Sequence, residues 1–164
     1  MQKIGLISDT HAYLDPQVFE HFKDCNQVWH LGDVGDESIL EALQDFKPLK
    51  AVYGNIDSQE LRHQLPEFEI VALEGLRFLL IHIAGKAPRY TKQVKAILSE
   101  QPCDVLICGH SHIVKVQKDK STPLVYINPG AAGKQGFHHE RHLMKMTVEN
   151  KKITNLDLIT LGKR

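Results

Sequence analysis

Five apolar runs in this sequence each end on side chains that can bind a metal ion. The runs are KIGLIS, VWHLG, KAVYG, RFLLI and DVLICG, and the residues that end them are, in the same order, Asp9 with His11, Asp33, Asn55, His82, and His110 with His112. Such runs predict strands that are buried on both faces. Because ligands in open α/β sheets collect beyond the carboxyl ends of the strands, we expect these seven side chains at one edge of the fold.

The seven side chains comprise two carboxylates, one amide oxygen and four imidazoles. This set is too large for one tetrahedral ion, whereas it suits two ions that share a bridging carboxylate. Oxygen and imidazole ligands without a thiolate favour ions such as manganese, iron, zinc or nickel. The sequence therefore predicts two divalent metal ions as the cofactor, and the residues alone leave the choice among these four metals open.

Length and charge limit the class of protein. A chain of 164 residues fits one domain over residues 1–164, and its 20 basic residues balance its 20 acidic residues, so no net field draws it to nucleic acid or to an anionic membrane. The N-terminal apolar stretch is too short for a signal peptide, and no apolar run approaches the roughly 18 residues of a membrane span. We therefore expect a cytoplasmic protein.

Cys25, Cys103 and Cys108 are not closely paired, which argues against a disulfide framework.

The order of the elements predicts an α/β fold of two packed sheets flanked by helices. The predicted strands cover residues 3–8, 27–31, 49–53, 67–73, 76–82 and 104–108, and the predicted helices cover residues 16–24, 39–46 and 90–99. Later runs such as PLVYIN and HLMKMTVE alternate apolar and polar residues, which indicates antiparallel strands with one solvated face. We expect a terminal hairpin that pairs residues 143–148 with 153–159 around Asn150-Lys151. A mainly parallel half would then supply the metal ligands, and an antiparallel half would close the core.

Five short motifs present the candidate ligands in a fixed order: Asp9-x-His11, Gly32-Asp33, Gly54-Asn55, the strand-end His82, and Gly109-His110-Ser111-His112. This set resembles the motifs of the calcineurin-like metallophosphoesterases, and most of all those of the small, single-domain YfcE-like phosphodiesterase branch. The resemblance runs to the Asn128-Pro129-Gly130 loop and, more loosely, through the terminal hairpin. It implies a four-layer α/β sandwich in which two mixed β-sheets pack between helices.

The resemblance also divides the seven positions between two ions. The first ion would be held by Asp9, His11 and His112, the second by Asn55, His82 and His110, and Asp33 would bridge them. Asp33, Asn55 and His82 would also serve the reaction as catalytic residues. The implied reaction is hydrolysis of a small phosphate ester by in-line attack of a hydroxide that bridges the ions, with phosphodiesters favoured.

Two positions depart from the family pattern. Many larger relatives place a histidine directly after the motif asparagine, where it protonates the leaving oxygen, and this chain has Ile56 there. Loss of a general acid removes a contribution of about 10²- to 10⁴-fold, so we expect a bias toward substrates with good leaving groups. The family often reads His-Gly-His where this chain reads His82-Ile83-Ala84, which leaves that loop more apolar.

One alternative function comes from another class of protein. The retromer subunit of this fold works mainly through its surfaces, so the chain could be a protein-interaction scaffold with or without metal. Its complete ligand set favours the enzyme. Nucleic acid is not expected as a partner because the chain has no concentrated stripe of Lys and Arg, and a homo-oligomer remains open.

The remaining histidines are interpreted without a ligand role. His30 lies in a predicted strand and is expected to pack close to the metal ligands. His138, His139 and His142 follow Gly136 in a polar segment, where a surface loop is the favoured interpretation and a proton donor or an extra ion site is the alternative.

Overall fold

In a computed structural model that describes residues 1–164, the strands form two five-stranded sheets and a short two-stranded ribbon. The strands are β1 (Gln2–Ile7), β2 (Gln27–His30), β3 (Leu49–Ala51), β4 (Phe68–Leu73), β5 (Leu76–Ile81), β6 (Gly85–Lys86), β7 (Arg89–Tyr90), β8 (Val105–Ile107), β9 (Lys115–Lys118), β10 (Val125–Asn128), β11 (Glu140–Glu149) and β12 (Lys152–Lys163). The helices are α1 (Gln17–His21), α2 (Glu37–Phe46), α3 (Gln59–Gln64) and α4 (Lys92–Glu100).

Both large sheets are mixed, as predicted. The first has the order β12-β11-β1-β2-β3, in which β1, β2 and β3 are parallel and β11 is antiparallel to β1. The second has the order β4-β5-β8-β10-β9, in which β5, β8 and β10 are parallel and the edge strands β4 and β9 are antiparallel to their neighbours. The parallel strands of both sheets therefore carry the apolar runs identified in the sequence.

The expected division into a parallel half and an antiparallel half is wrong. The alternating strands of the second half of the chain add to both sheets, since β9 and β10 join the second sheet while β11 and β12 join the first. The run PLVYIN forms β10, which pairs in parallel with β8 and is buried over residues 126–128. Its alternation misleads because both faces of β10 are covered: Ile127 packs in the cluster between the sheets and Tyr126 in the cluster beneath α4.

The core explains the four layers. One apolar cluster joins the facing sides of the two sheets, and in it Trp29 of β2 meets Phe78 of β5 edge to face, with 5.2 Å between the ring centroids. A second cluster packs α1, α2 and α3 on the outer side of the first sheet, and a third packs α4 on the outer side of the second sheet. Both faces of β1 are apolar because each face packs in a different cluster. Leu6 lies in the cluster between the sheets and Ile7 in the cluster beneath the helices, and both are fully buried.

The helices differ from prediction at their ends. The helix predicted over residues 16–24 is only α1, and α4 begins at Lys92, where the Thr91 hydroxyl accepts the Val94 N–H at 3.2 Å. The polar segment before Pro66 contains α3, which the sequence did not predict. Only Leu61 of α3 is buried, so no apolar period marks this helix.

The terminal hairpin is confirmed. Leu143 pairs with Ile159 and Val148 pairs with Ile153, around a turn in which Asn150 and Lys151 both have positive φ. None of the helices has the length and apolar composition that a membrane crossing requires.

Candidate metal centre

The candidate ligands follow the carboxyl ends of parallel strands in both sheets. Asp9 with His11, Asp33 and Asn55 follow β1, β2 and β3 of the first sheet, whereas His82 and the pair His110 and His112 follow β5 and β8 of the second. The site thus lies at one edge of the fold, where the ends of the two sheets meet, and both sheets contribute candidate ligands.

The donor atoms form two groups. Those of Asp9, His11 and His112 lie within 4.8 Å of one another, and those of Asp33, His82 and His110 form a second group of the same kind. The amide residue Asn55 lines a cleft together with members of both groups. We call this cavity the metal-side cleft, and its lining residues are His11, Asp33, Asn55, Ile56, His110, Ser111, His112, Ile113, Gly136, Phe137, His138 and His139.

Asp33 connects the two groups. Its Oδ2 atom lies 3.2 Å from Nε2 of His82 in its own group and 3.6 Å from Nε2 of His11 in the other group. Asp9 Oδ1 is similarly 3.2 Å from Nε2 of His112 and 3.8 Å from Nε2 of His82. Asp33 Oδ2 and Asp9 Oδ1 therefore each lie between imidazoles of the two groups.

Three buried atoms of this cluster lack a hydrogen-bond partner, namely Asp9 Oδ1, His11 Nε2 and His82 Nε2. A buried polar atom without a partner costs about 1–3 kcal/mol, so the convergence of three such atoms needs an explanation. A carboxylate oxygen and imidazole nitrogens are ligands of divalent cations, which would satisfy all three. The residues present therefore fit bound metal ions.

The second oxygen of each aspartate is held by the protein. Asp9 Oδ2 accepts hydrogen bonds from the Ser8 hydroxyl at 2.6 Å and from the His110 N–H at 3.1 Å, and Asp33 Oδ1 accepts from the Ile56 N–H at 3.1 Å. Each carboxylate therefore has one oxygen fixed and directs the other at the imidazoles. His82 is oriented in the same way, because its Nδ1 donates to the carbonyl of Leu31 at 2.7 Å and leaves Nε2 for an ion.

The charged groups of the site act on one another. Burial alone would raise the pKa of Asp33, but the close approach of the His82 ring and the hydrogen bond from the Ile56 N–H bring that pKa below its usual value. Burial likewise would lower the pKa of His82, whereas Asp33 and Asp9 raise it above the usual value. Asp33 and His82 therefore each stabilise the charged form of the other.

Five of the candidate ligands have left-handed backbone conformations, which non-glycine residues rarely adopt: Asp9, His11, Asp33, His110 and His112. Each such residue costs about 1–3 kcal/mol and persists only where its surroundings fix it. Here the N–H groups of Asp9 and His11 donate to the carbonyls of Gly32 and Asp33, both at 3.0 Å. The loops after β1 and β2 therefore lock each other in the strained geometry that presents the ligands.

Two glycines permit the close approach of these loops. A Cβ atom on Gly54 would lie 2.0 Å from Oδ1 of Asp33, and one on Gly109 would lie 2.0 Å from the Ser8 hydroxyl and 2.8 Å from Oδ2 of Asp9. Any side chain at these positions would displace the carboxylates. Both glycines are therefore required by the packing of the site and not only by the turns that follow β3 and β8.

Asp57 supports the site and was not predicted from the sequence. Its buried carboxylate accepts hydrogen bonds from the N–H groups of Gly35 and Gly54, both at 2.8 Å, and of Val34 at 3.2 Å. It thereby ties the loop that carries Asp33 to the loop that carries Asn55. An aspartate two residues after Asn55 in a polar loop gives no signal that separates it from an ordinary turn residue.

His30 is fully buried beside the site, and both of its ring nitrogens are hydrogen-bonded to residues other than the candidate ligands. Its Nδ1 accepts the Gly32 N–H at 3.1 Å, and its Nε2 donates to the Thr10 hydroxyl at 3.0 Å, since that hydroxyl donates to the carbonyl of Val34. Burial lowers the pKa of His30 to about 4. His30 is therefore a neutral packing residue that shapes the turn before Asp33.

His138 lies in a surface loop, as favoured, but its ring turns inward against a candidate ligand. Its Nε2 lies 2.9 Å from the carbonyl of Gly133, which can only accept, so Nε2 carries the proton. The Nδ1 lone pair then faces Nδ1 of His112 at 3.1 Å, and His112 donates across this contact. His138 thus fixes the tautomer of His112 that leaves its Nε2 for an ion, whereas His139 is exposed.

Replacing His138 by alanine is expected to weaken the binding of Mn²⁺ at Asp9, His11 and His112 by about 10- to 100-fold, because His112 loses the group that fixes its tautomer. Titration calorimetry on the metal-free protein measures this affinity. His63→Ala, an exposed histidine on α3, is the control and should bind as the wild type does. Equal affinities in the two variants would rule out this supporting role.

Comparison with known proteins identifies the family. The model of the calcineurin-like phosphoesterase superfamily domain matches residues 2–151. Over 154 residues the chain is 33% identical to a protein named probable metallophosphoesterase from Methanocaldococcus jannaschii, and the match covers 90% of this chain and 77% of that protein.

Solved structures show the same fold at lower identity. A protein described as a novel archaeal phosphodiesterase aligns with a TM-score of 0.77 at 22% identity, over 97% of this chain and 99% of that one. Vps29 from Entamoeba histolytica in complex with Zn²⁺ aligns with a TM-score of 0.71 at 17% identity, over 98% of both chains. With its family model, its relative and its fold in agreement, the chain belongs to the calcineurin-like phosphoesterase superfamily, a metal-dependent family of phosphoric ester hydrolases.

Proposed function

We propose that this protein is a phosphodiesterase that hydrolyses a small phosphate ester with two divalent metal ions, manganese being the first choice. One ion is held by Asp9, His11 and His112, the other by Asn55, His82 and His110, and Asp33 is shared. The observation that carries the proposal is the position of Asp33 Oδ2, within 3.6 Å of imidazole nitrogens from both groups of donor atoms.

When bound, two such ions would lower the pKa of a coordinated water toward about 7 and would neutralise charge on the phosphoryl oxygens. The residues of the chain hold this arrangement in place. The two divalent ions would carry four positive charges, and Asp9 and Asp33 together contribute two negative ones. The net charge of about +2 would attract a phosphate. The protein otherwise has no net charge that would do so.

The metal-side cleft favours a diester. None of its twelve lining residues is Lys or Arg, so the second negative charge of a monoester would find no cationic side chain there. Ile56 occupies the position after Asn55 and is 47% exposed, and it cannot protonate a leaving oxygen. A singly charged ester with a good leaving group suits this cleft best.

The proposal is tested by hydrolysis of bis-p-nitrophenyl phosphate and of p-nitrophenyl phosphate. The protein is first stripped with a chelator and then supplied with manganese, zinc, nickel or ferrous ion in turn. We expect turnover that returns with at least one ion and is faster with the diester. No turnover with any of the four ions would contradict an enzymatic role.

A protein-interaction scaffold, with or without metal, is the second candidate, since several Vps29 structures share the fold. The two candidates differ in what they require of the ligand set. A scaffold needs none of the seven side chains, whereas this chain has all of them and brings six together in two groups. The same hydrolysis assay separates the candidates.

Replacing Ile56 by histidine is expected to raise turnover of esters with poor leaving groups by about tenfold or more, because the new imidazole can protonate the departing oxygen. The Ile56 N–H donates to Asp33, so the backbone already holds this position at the site. The measurement is a series of diesters with leaving groups of increasing pKa. An equal effect on every leaving group would contradict the argument that an acid is missing.

A further inference from the structure

The exposed apolar side chains of this protein are unevenly distributed. The large ones are Met1, Ile56, Ile83, Ile113, Val116, Phe137 and Leu158. Of these, Ile56, Ile113 and Phe137 line the metal-side cleft. Ile83 lines two adjoining cavities, one shared with Asn55 and His82 and the other with His110 and Ser111. More than half of the exposed large apolar side chains thus surround the candidate ligands, and we call Ile56, Ile83, Ile113 and Phe137 the apolar rim.

The loops that hold the ligands also place the rim. Ile56, Ile83 and Ile113 each directly follow a candidate ligand in the chain, and Phe137 directly precedes His138, whose ring contacts His112. Phe137 is 100% exposed and Ile113 is 62% exposed, so neither side chain contributes to the core. Contiguous apolar patches bordered by polar residues on a protein surface mark binding sites, and these side chains border the candidate ligands.

The cleft leaves room for more than a phosphate. Its volume of about 550 Å³ lies in the range of roughly 300–1,000 Å³ that is usual for sites of small molecules. In the hydrolysis of a diester, the bond from phosphorus to the leaving oxygen breaks and a bond to an oxygen from water forms. The other ester group stays on the phosphate and departs with the monoester product, so the cleft must accommodate it throughout.

We propose that the apolar rim is a subsite for this retained ester group and that the group is aromatic, as in an aryl or a nucleoside ester. The inference rests on the proposed function. Arg62, Lys86 and Lys115 line the adjoining cavities beside Ile83 and not the metal-side cleft itself. Within the cleft a charged retained group would therefore find no Lys or Arg, whereas an aromatic group would pack on the exposed ring of Phe137 and on Ile56 and Ile113. An aryl ester and a nucleoside ester would be recognised through the same ring packing, and the experiment below distinguishes them.

The test compares three p-nitrophenyl diesters that share one leaving group and differ in the retained group, which is methyl, phenyl or thymidine linked through its 5′ oxygen. Each kcat/KM is divided by the rate of hydrolysis in hydroxide, which removes intrinsic reactivity. We expect the phenyl ester, the thymidine ester or both to exceed the methyl ester by about tenfold or more. The aromatic ester that is hydrolysed faster shows whether the retained group is an aryl or a nucleoside group.

Phe137→Ser is expected to reduce this preference for an aromatic retained group by about fivefold to tenfold, chiefly through KM. Leu158→Ser is the matched control, because Leu158 is 50% exposed on β12 and lies outside the cleft. It should keep the wild-type preference. Ile113→Ser is a second test of the rim, on a different loop, and should also reduce the preference. Because the Ile113 side chain is exposed, misfolding would not explain such a reduction.

The outcomes separate the inference from the proposed function. If the methyl ester is hydrolysed as well as the aromatic esters after normalisation, or if both rim variants keep the wild-type preference, the subsite is contradicted and the phosphodiesterase stands. If none of the three diesters is hydrolysed with any of the four metal ions, the proposed function fails and the subsite fails with it.

Discussion

Asp33→Asn should lower turnover by about 10³-fold or more while leaving the fold intact, because the shared position loses the charge that stabilises both ions, a term of several kcal/mol. An asparagine keeps the shape and one carbonyl oxygen, which can still accept the Ile56 N–H. The loss should therefore fall on the metal ions. We expect the bound metal to drop from two ions per chain toward one, as measured by elemental analysis after gel filtration.

Asp36→Asn is the matched control for this substitution. Asp36 lies three residues further along the same loop, is exposed, and caps α2 by accepting the Ser38 N–H at 2.8 Å, a role that asparagine also fills. Its turnover and metal content should equal those of the wild type. Wild-type turnover in Asp33→Asn would contradict the model of a shared ligand.

Asp57→Ala is expected to lower the free energy of unfolding by about 3 kcal/mol and turnover by about 10- to 100-fold. The carboxylate is the acceptor for three backbone N–H groups, and its removal leaves those of Val34 and Gly54 buried without a partner. The loops that carry Asp33 and Asn55 then lose their connection. Urea unfolding of the metal-free protein measures the stability term without a contribution from bound ions.

Two further variants give this prediction its controls. Asp57→Asn keeps one oxygen as an acceptor and should recover part of the lost stability. Asp45→Ala removes an exposed aspartate on α2 and should change the unfolding free energy by less than about 0.5 kcal/mol. If Asp57→Ala changes stability as little as Asp45→Ala does, the three hydrogen bonds do not hold the loops together.

The candidate ligands can be picked out from the sequence because each is the first or nearly the first polar residue after a buried strand. His82 illustrates this, since it follows the apolar run RFLLI and lies at the carboxyl end of β5. An apolar run in the sequence does not indicate which sheet its strand joins, because a strand that is buried on both faces has the same pattern in either sheet. That is why the contribution of both sheets to the site, and the parallel pairing of β10, emerge only from the structure.

The supporting residues are harder to predict because their roles depend on contacts between loops. Asp57 acts on Val34 and Gly35, which lie more than twenty residues earlier in the chain, and His138 acts on His112 across a similar separation. Neither has a local sequence pattern that differs from an ordinary loop residue. The helix α3 escapes prediction for a related reason, because a single buried residue, Leu61, cannot define a helical period.

Anomalous X-ray scattering from crystals grown with manganese and without chelator tests the central claim most directly, since it counts the ions and locates them. The account predicts two peaks that flank Asp33, one beside His11 and His112 and the other beside His82 and His110. A single peak, or none, would contradict a centre of two metal ions that share Asp33.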